Sequence, residues 1–138
     1  MTKESGLGIT TLTVDDAGGT QRDVEPSTTN FAFSTPRAIQ DVTSVSVNAM
    51  ERLPLLADAT ATFQGVFDDG TNLAHTVFST GPLGVARELT FAHSGQTLFV
   101  TPLVLMLFTD YGLTRPQDGS LTWNAPGVLS NGAVPTWS

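Results

Sequence analysis

Residues 59–67 read Ala-Thr-Ala-Thr-Phe-Gln-Gly-Val-Phe, ATATFQGVF, and the alternation in that stretch decides the fold class. Ala61, Phe63 and Phe67 fall on one side of an extended chain, and Thr62 and Gln64 on the other. A period of two is the pattern of a strand with one buried and one wet face. Outward from it, Thr, Val, Phe and Gly dominate, and Gly, Pro and Asn punctuate the chain at short intervals, which is an all-β signature.

Upstream, 9–14 reads as a strand, DDAGGT (15–20) as a glycine turn where positive φ is cheap, and 21–25 as the hairpin partner. Pro26 ends that strand, STTN (27–30) reads as loop, and Phe31 and Phe33 alternate around Ala32 in a short extended segment or arm. After Pro36, AIQDVTSVSV (38–47) sets Thr43, Val45 and Val47 on one face and Ser44 and Ser46 on the other. NAME (48–51) places Glu three residues after Asn, a capping-box pattern that opens a short helical turn limited by Pro54. Downstream, NLAHTVFS (72–79) puts Leu73, Val77 and Phe78 at helical spacing. RELTFAH (87–93) and the run 98–108 read as strands, the second buried on both faces. YGLTRPQDGSLTWN (111–124) reads as a hairpin about a type I turn, and Asn131-Gly132 as another tight turn. No repeat or linker divides the chain. The expectation is one domain over 1–138, with 26–37 as loop or arm and 124–138 as a C-terminal arm or last strand. The fold class is mainly β: a β-sandwich or small barrel with one short flanking α-helix.

Of 138 residues 40% are hydrophobic, enough for a packed core, but only 14% are charged, against about 25% in a typical soluble domain. A surface so poor in charge is either covered with Thr, Ser, Asn and Gly or covered by another protein. The net charge is −7 and Lys3 is the one lysine, so a basic patch for nucleic acid is not expected. There is no cysteine, which excludes disulfides, thiolate metal sites and a cysteine nucleophile. MTKESGLG has no apolar core, so a signal peptide is not expected. The apolar run LVLMLF (103–108) is far shorter than the ~20 residues that span a bilayer, and no membrane role is expected.

Chemistry-bearing patterns are thin. FDDGTN (67–72) resembles a calcium loop, but Ser79 stands where the bidentate Glu would fall, and an Asx turn capping the next helix is the better reading. His75 and His93 are the two histidines, without HExxH or His-x-His spacing, and are given surface or interface roles. No G-x-S-x-G elbow or Walker A is present, and GLG (6–8) fails as a dinucleotide fingerprint. The pairs Asp15–Asp16 and Asp68–Asp69 sit in turns, where adjacent side chains point apart. No catalytic residue, cofactor, metal site or small-molecule substrate is therefore expected, and the chain reads as a non-enzyme. The segments TLFVTPLVLMLF (97–108) and VLSNGAVPTW (128–137) are β-prone and charge-poor, a hazard on a free edge. Within the first, 103–108 reads as core, while 124–138 fits a partner contact and a core strand equally.

The order of pieces carries a resemblance. TLTVDDAGGTQRDV (11–24) is followed by PRAIQDVTSVSVNAMERLPLLADATATFQGVFDD (36–69), AHTVFST (74–80) and DYGLTRPQDGSLTWNAPGVLSNGAVPTW (110–137). This order resembles the major tail protein, or tail tube protein, of long-tailed bacteriophages, particularly small versions from phages of actinobacteria. DDAGGTQRDV, LADATATFQGVFD and LTRPQDGSLTW carry it most sharply. The resemblance implies a homo-oligomer of six-fold rings stacked into a tube, with other tail proteins as partners. It also implies a location in the virion after synthesis in the host bacterial cytoplasm, and DNA that passes through the lumen without specific binding. In that setting acids facing the bore would repel DNA, the candidates being Asp15, Asp16, Glu25, Asp41, Asp110 and Asp118. Candidate subunit contacts are Phe31 and Phe33, in a shortened inter-ring loop over 26–37, and Leu129, Val134 and Trp137 in the C-terminal arm. Two rival readings are a capsid decoration or head–tail joining protein, and a carbohydrate-binding β-sandwich that stacks sugars on Trp123 or Trp137.

Overall fold

The structure, a computed structural model, describes residues 5–7, 9–98, 105–130, 132, 134, 136 and 137. Its strands are β1 (Thr11–Asp15), β2 (Gln21–Asp23), β3 (Thr28–Ser34), β4 (Arg37–Asp41), β5 (Arg52–Ala57), β6 (Thr60–Val66), β7 (Arg87–His93), β8 (Gln96–Leu98), β9 (Leu105–Phe108), β10 (Gly112–Thr114) and β11 (Thr122–Leu129). Among the described residues there is one α-helix, α1 (Ala74–Phe78), between β6 and β7. Nine strands form one sheet in the order β2, β1, β7, β9, β11, β6, β3, with β8 also on β7 and β10 also on β11. The remaining two, β4 and β5, pair only with each other.

The alternation in the opening stretch is realised in β6. Ala61, Phe63 and Gly65 are buried, while Gln64 and Val66 are exposed. Antiparallel β11 flanks it with Trp123 opposite Gly65 and Ala125 opposite Phe63. Glycine is required at 65: a Cβ there would collide with the Ser27 carbonyl oxygen and come within 3.0 Å of Trp123 Cε2. The sheet curls on itself. Phe31 of β3 stacks on Phe91 of β7 at 5.3 Å, although three strands separate them in the sheet order. Phe63 lies at the centre, 4.9 Å from Phe31, 5.2 Å from Phe78 and 5.8 Å from Phe108. The helix covers the open side with Ala74, Val77 and Phe78 buried, and Phe78 stacks on Trp123 at 5.1 Å. Each such large side chain contributes about 1.5–3 kcal/mol by leaving water. The result is a curled, sandwich-like sheet that stops short of a closed barrel.

The two glycine turns form as read, with Gly19 at φ +83° and Gly119 at φ +91° donating its N–H to Pro116 O. In FDDGTN, Asp68 Oδ1 accepts from Gly70 N at 3.0 Å, an Asx turn. It does not cap α1, whose N-cap is Leu73 without a side-chain bond.

Other expectations change. The stretch 26–37 is not a loop: 28–34 is strand β3, hydrogen-bonded along β6, and the Phe31/Phe33 alternation packs both rings toward the core. No strand forms at 43–47. Asp41 Oδ1 accepts from Thr43 N and Oγ1, and Ser44 Oγ accepts from Ser46 N, so hydroxyl and carboxylate side chains hold the backbone in turns. NAME is not helical either; Glu51 N bonds back to Thr43 Oγ1, closing the connection between β4 and β5. Pro54 is tolerated in β5 because β5 has a single strand partner. Of the two readings of 124–138, the last strand holds for 124–129, which is the body of β11, held between β6 and β9 with Ala125 and Gly127 buried. Of the run 98–108, residues 99–104 lie outside the described part. In β9, Met106 and Phe108 are buried while Leu105 and Leu107 are half-buried, so this strand is buried on one face only. Asn131 also lies outside the described residues, and Gly132 has φ +71°.

Candidate functional site

The segment 37–57 leaves the sheet as a separate hairpin. Its feet are joined where Asp58 N donates to Pro36 O at 2.8 Å. Above them Ile39 pairs Pro54, Gln40 pairs Leu53 and Asp41 pairs Arg52. Arg37 lies along the base, its Nη1 donating to Leu55 O at 3.0 Å. At the far end Thr43 is the hub: its Oγ1 donates to Asp41 Oδ1 at 2.6 Å and accepts from Glu51 N at 2.9 Å. The Thr43 hydroxyl and the Thr43 N–H, both donating to Asp41 Oδ1, hold its carboxyl below its ordinary pKa.

Every residue of β4 is exposed, and all of β5 but Ala57. Among the described residues, eight of the fifteen exposed large hydrophobics lie on this arm: Ile39, Val42, Val45, Val47, Met50, Leu53, Leu55 and Leu56. A two-stranded ribbon alone is marginal in water, and a contiguous apolar patch marks a contact surface. At its foot two shallow cavities flank the exposed Leu56. One, of ≈ 410 Å³, is lined by Arg37, Leu55, Leu56, Leu129 and Val134 among others. The second, of ≈ 500 Å³, adds Pro36 and Ala38.

The candidate contact residues therefore separate. Leu129 and Val134 meet at the groove. Phe31 and Phe33 are half-buried against the core. Trp137, 53% exposed, bridges Leu98 in antiparallel fashion and meets the Phe91 ring at 6.1 Å. Trp123 offers no sugar platform, since it is 2% exposed and its indole N–H donates to Val66 O at 3.0 Å.

The candidate carboxylates are dispersed. Asp16 organises the β1–β2 turn, accepting from Gly18 N and Thr20 N, and pairs with Arg22 at 2.9 Å, which lowers its pKa. Asp118 holds Ser120 in the β10–β11 turn and is lowered likewise. Glu25 is half-buried at the start of a 3-10 turn, Asp41 belongs to the arm, and exposed Asp110 accepts from Tyr111 N. Asp15 is only 9% exposed, its carboxylate turned to the Glu88 N–H at 3.3 Å, and burial raises its pKa. Beside it Glu88 is also raised, first by burial and then by the Asp15 charge. Of the histidines, His75 Nδ1 lies 3.1 Å from Tyr111 Oη and His93 Nε2 lies 2.7 Å from Ser5 O.

Two features escaped the sequence reading. The arm was the larger miss; its signal was a run of apolar residues from 39 to 56 too interrupted by Pro and Ser to belong to a core strand. Arg87, 1% exposed, is the other, and a lone arginine at a strand start carries no sequence signal.

No protein-family model and no curated protein matches the chain. Solved structures do. A chain in the virion of a native gene transfer agent (GTA) particle superposes with TM-score 0.71 at 12% identity, over 99% of each chain. A chain in the tail of an empty GTA particle, solved by helical refinement with C6 symmetry, gives 0.69 at 15% identity, again over 99% of each. At such identities the likeness is one of fold.

Proposed function

We propose that the chain is a structural subunit of a phage-like tail, and within it a tail tube protein of the kind found in phages of actinobacteria, forming stacked six-fold rings. The observation that carries this reading is the likeness to a chain from a C6-symmetric tail over 99% of both chains. The physical features agree with it. The sheet ends on β3, a seven-residue strand with β6 as its neighbour, and pairing with the next subunit would remove that edge. The arm 37–57 takes the role of inter-ring contact first given to 26–37. A low charge density suits a surface largely covered by other copies. In this role the chain is made in the host bacterial cytoplasm, ends in the virion and catalyses nothing, and DNA passes through the ring without specific binding.

Negative-stain electron microscopy of the purified protein tests the reading. Rods built from stacked six-fold rings are the expected result. Monomers or trimers only, at every concentration and with tail initiator present, would overturn it.

A further inference from the structure

Strand β7 is shared between the two halves of the sheet. Among the described residues, 89–92 pair with β1, whereas Arg87 and Glu88 pair with β9. Where β7 passes from one neighbour to the other, the Glu88 N–H donates to a side chain, Asp15 Oδ2 at 3.3 Å. The register that sets Val14 against Leu89 sets Asp15 against Glu88 at the next step, with both side chains on one face. Like charges directly opposite one another are destabilising. Among the described residues no cation bonds to either carboxyl group: Arg87 directs Nη1 to Asp15 O and Val77 O and Nη2 to Thr80 Oγ1, while Arg22 pairs with Asp16. Asp15 Oδ1 is buried without a hydrogen-bond partner.

We propose that Asp15 and Glu88 share one proton, and that its loss opens the sheet at this fork, so that the pair is a pH-sensitive joint between β1 and β7. With the proton in place, the O–H of one carboxyl donates to a carboxylate oxygen of the other, and the site carries one negative charge. Its release to solvent leaves two facing carboxylates, one of them only 9% exposed. The neighbours do not offset that second charge. Asp16 on β1 adds negative charge, and Asp23 on β2 stands opposite Thr13 with Oδ1 accepting from Glu25 N. Gln21 on β2 gives Glu88 a hydrogen bond without charge, and β9 presents Leu105. The Arg87 guanidinium favours ionised Asp15, but burial, the largest influence, and Asp16 act against it, and the Asp15 pKa is raised. Glu88 is raised by burial and then by Asp15. Groups raised in the folded state contribute stability that is full below their unfolded pKa and lost as pH rises through the folded one. The joint is therefore closed in mild acid and loosens toward alkaline pH. It belongs to the single chain, whether or not copies assemble.

Hydrogen exchange of the full chain, read by mass spectrometry and corrected for the intrinsic effect of pH on exchange, tests the joint. Between about pH 5 and about pH 8, peptides covering 11–15 and 87–93 should lose about tenfold in protection, the equivalent of one pKa unit, while 60–66 in β6 stays level. Asp15→Asn and Glu88→Gln should each flatten that response, because an amide donates to the remaining carboxylate and does not ionise. The double variant should flatten it no further, and Asp23→Asn, on the same face, should leave it intact. Fluorescence of buried Trp123 checks the fold of each, and if one single variant fails to fold the other decides. Protection at 11–15 and 87–93 that stays level with pH in the native chain overturns the proposal. So does a loss that a folded single variant retains, or one that 60–66 shares in full. Protection restored at the alkaline end by calcium chloride and removed again by EDTA means that a cation closes the pair, which also overturns it.

Discussion

Arg87 donates from Nη1 to the main-chain oxygen of Val77 at 2.8 Å, tying the C-terminal turn of α1 to the first residue of β7. The same nitrogen reaches Asp15 O at 3.0 Å, and Nη2 reaches Thr80 Oγ1 at 2.8 Å. One buried guanidinium thus joins β1, α1 and the turn after it. Replacing it by Met keeps most of the volume but strands two buried carbonyls. Since hydrogen bonds to a charged group are worth about 1.5–3 kcal/mol each, and removing the buried charge relieves desolvation, Arg87→Met should cost about 2–4 kcal/mol. Urea midpoints measure it, and Arg87→Lys should fall between Met and the native residue.

Gly65→Ala should destabilise by about 3 kcal/mol, because the new methyl meets the Ser27 carbonyl, which belongs to backbone and cannot swing away. Gly6→Ala, with nothing within 4 Å of its Cβ position, should change stability by less than about 0.5 kcal/mol. Thermal unfolding of both variants makes the comparison.

Arm and core substitutions should separate cleanly. Val45→Glu should leave the unfolding midpoint within about 0.5 kcal/mol of the native chain while abolishing rods. Phe31→Ala, which removes a ring packed on Phe63 and Phe91, should cost about 2–3 kcal/mol. Chemical denaturation beside microscopy of the same samples decides this.

Two carboxylates should respond to pH with opposite sign. Asp16 is held low by Arg22, so its contribution is present above the ordinary carboxylate range and is lost as pH falls through the lowered pKa. Asp16→Asn should therefore lower Tm at pH 7, with the gap closing in acid. Glu88 is raised by burial and by Asp15, so its ionisation works against the fold, and stability is lost as pH rises through the raised pKa. Glu88→Gln should raise Tm at pH 7 and change nothing in acid. Calorimetry across that range reads both.

Legibility in the sequence followed the source of each structural cause. β6, the β1–β2 hairpin and the PQDG turn were readable because alternation and positive-φ glycines act within a few residues. The misreadings at 28–34 and 43–47 share one cause: both stretches alternate, and only tertiary pairing separates them. Phe31 finds Phe63 and Phe91 across the sheet, whereas Val45 finds water, while Thr43 and Asp41 bend the chain locally. The uncharged C-terminal stretch was ambiguous for the same reason. Ala125 and Gly127 are uncharged because β6 and β9 enclose them, and Val134 because it borders the groove. Low charge marks coverage without saying whether the cover is self or neighbour.

The bond from Asp58 N to Pro36 O fixes where the arm leaves and re-enters. With both feet pinned, nothing in the sheet registers how many residues lie between them, and doubling such an insertion adds only about 0.6 kcal/mol of closure entropy. Reach and scaffold are thereby independent variables. An arm of another length, or one borrowed from another chain, could be grafted at 36 and 58 to alter the spacing between copies while the core folds as before.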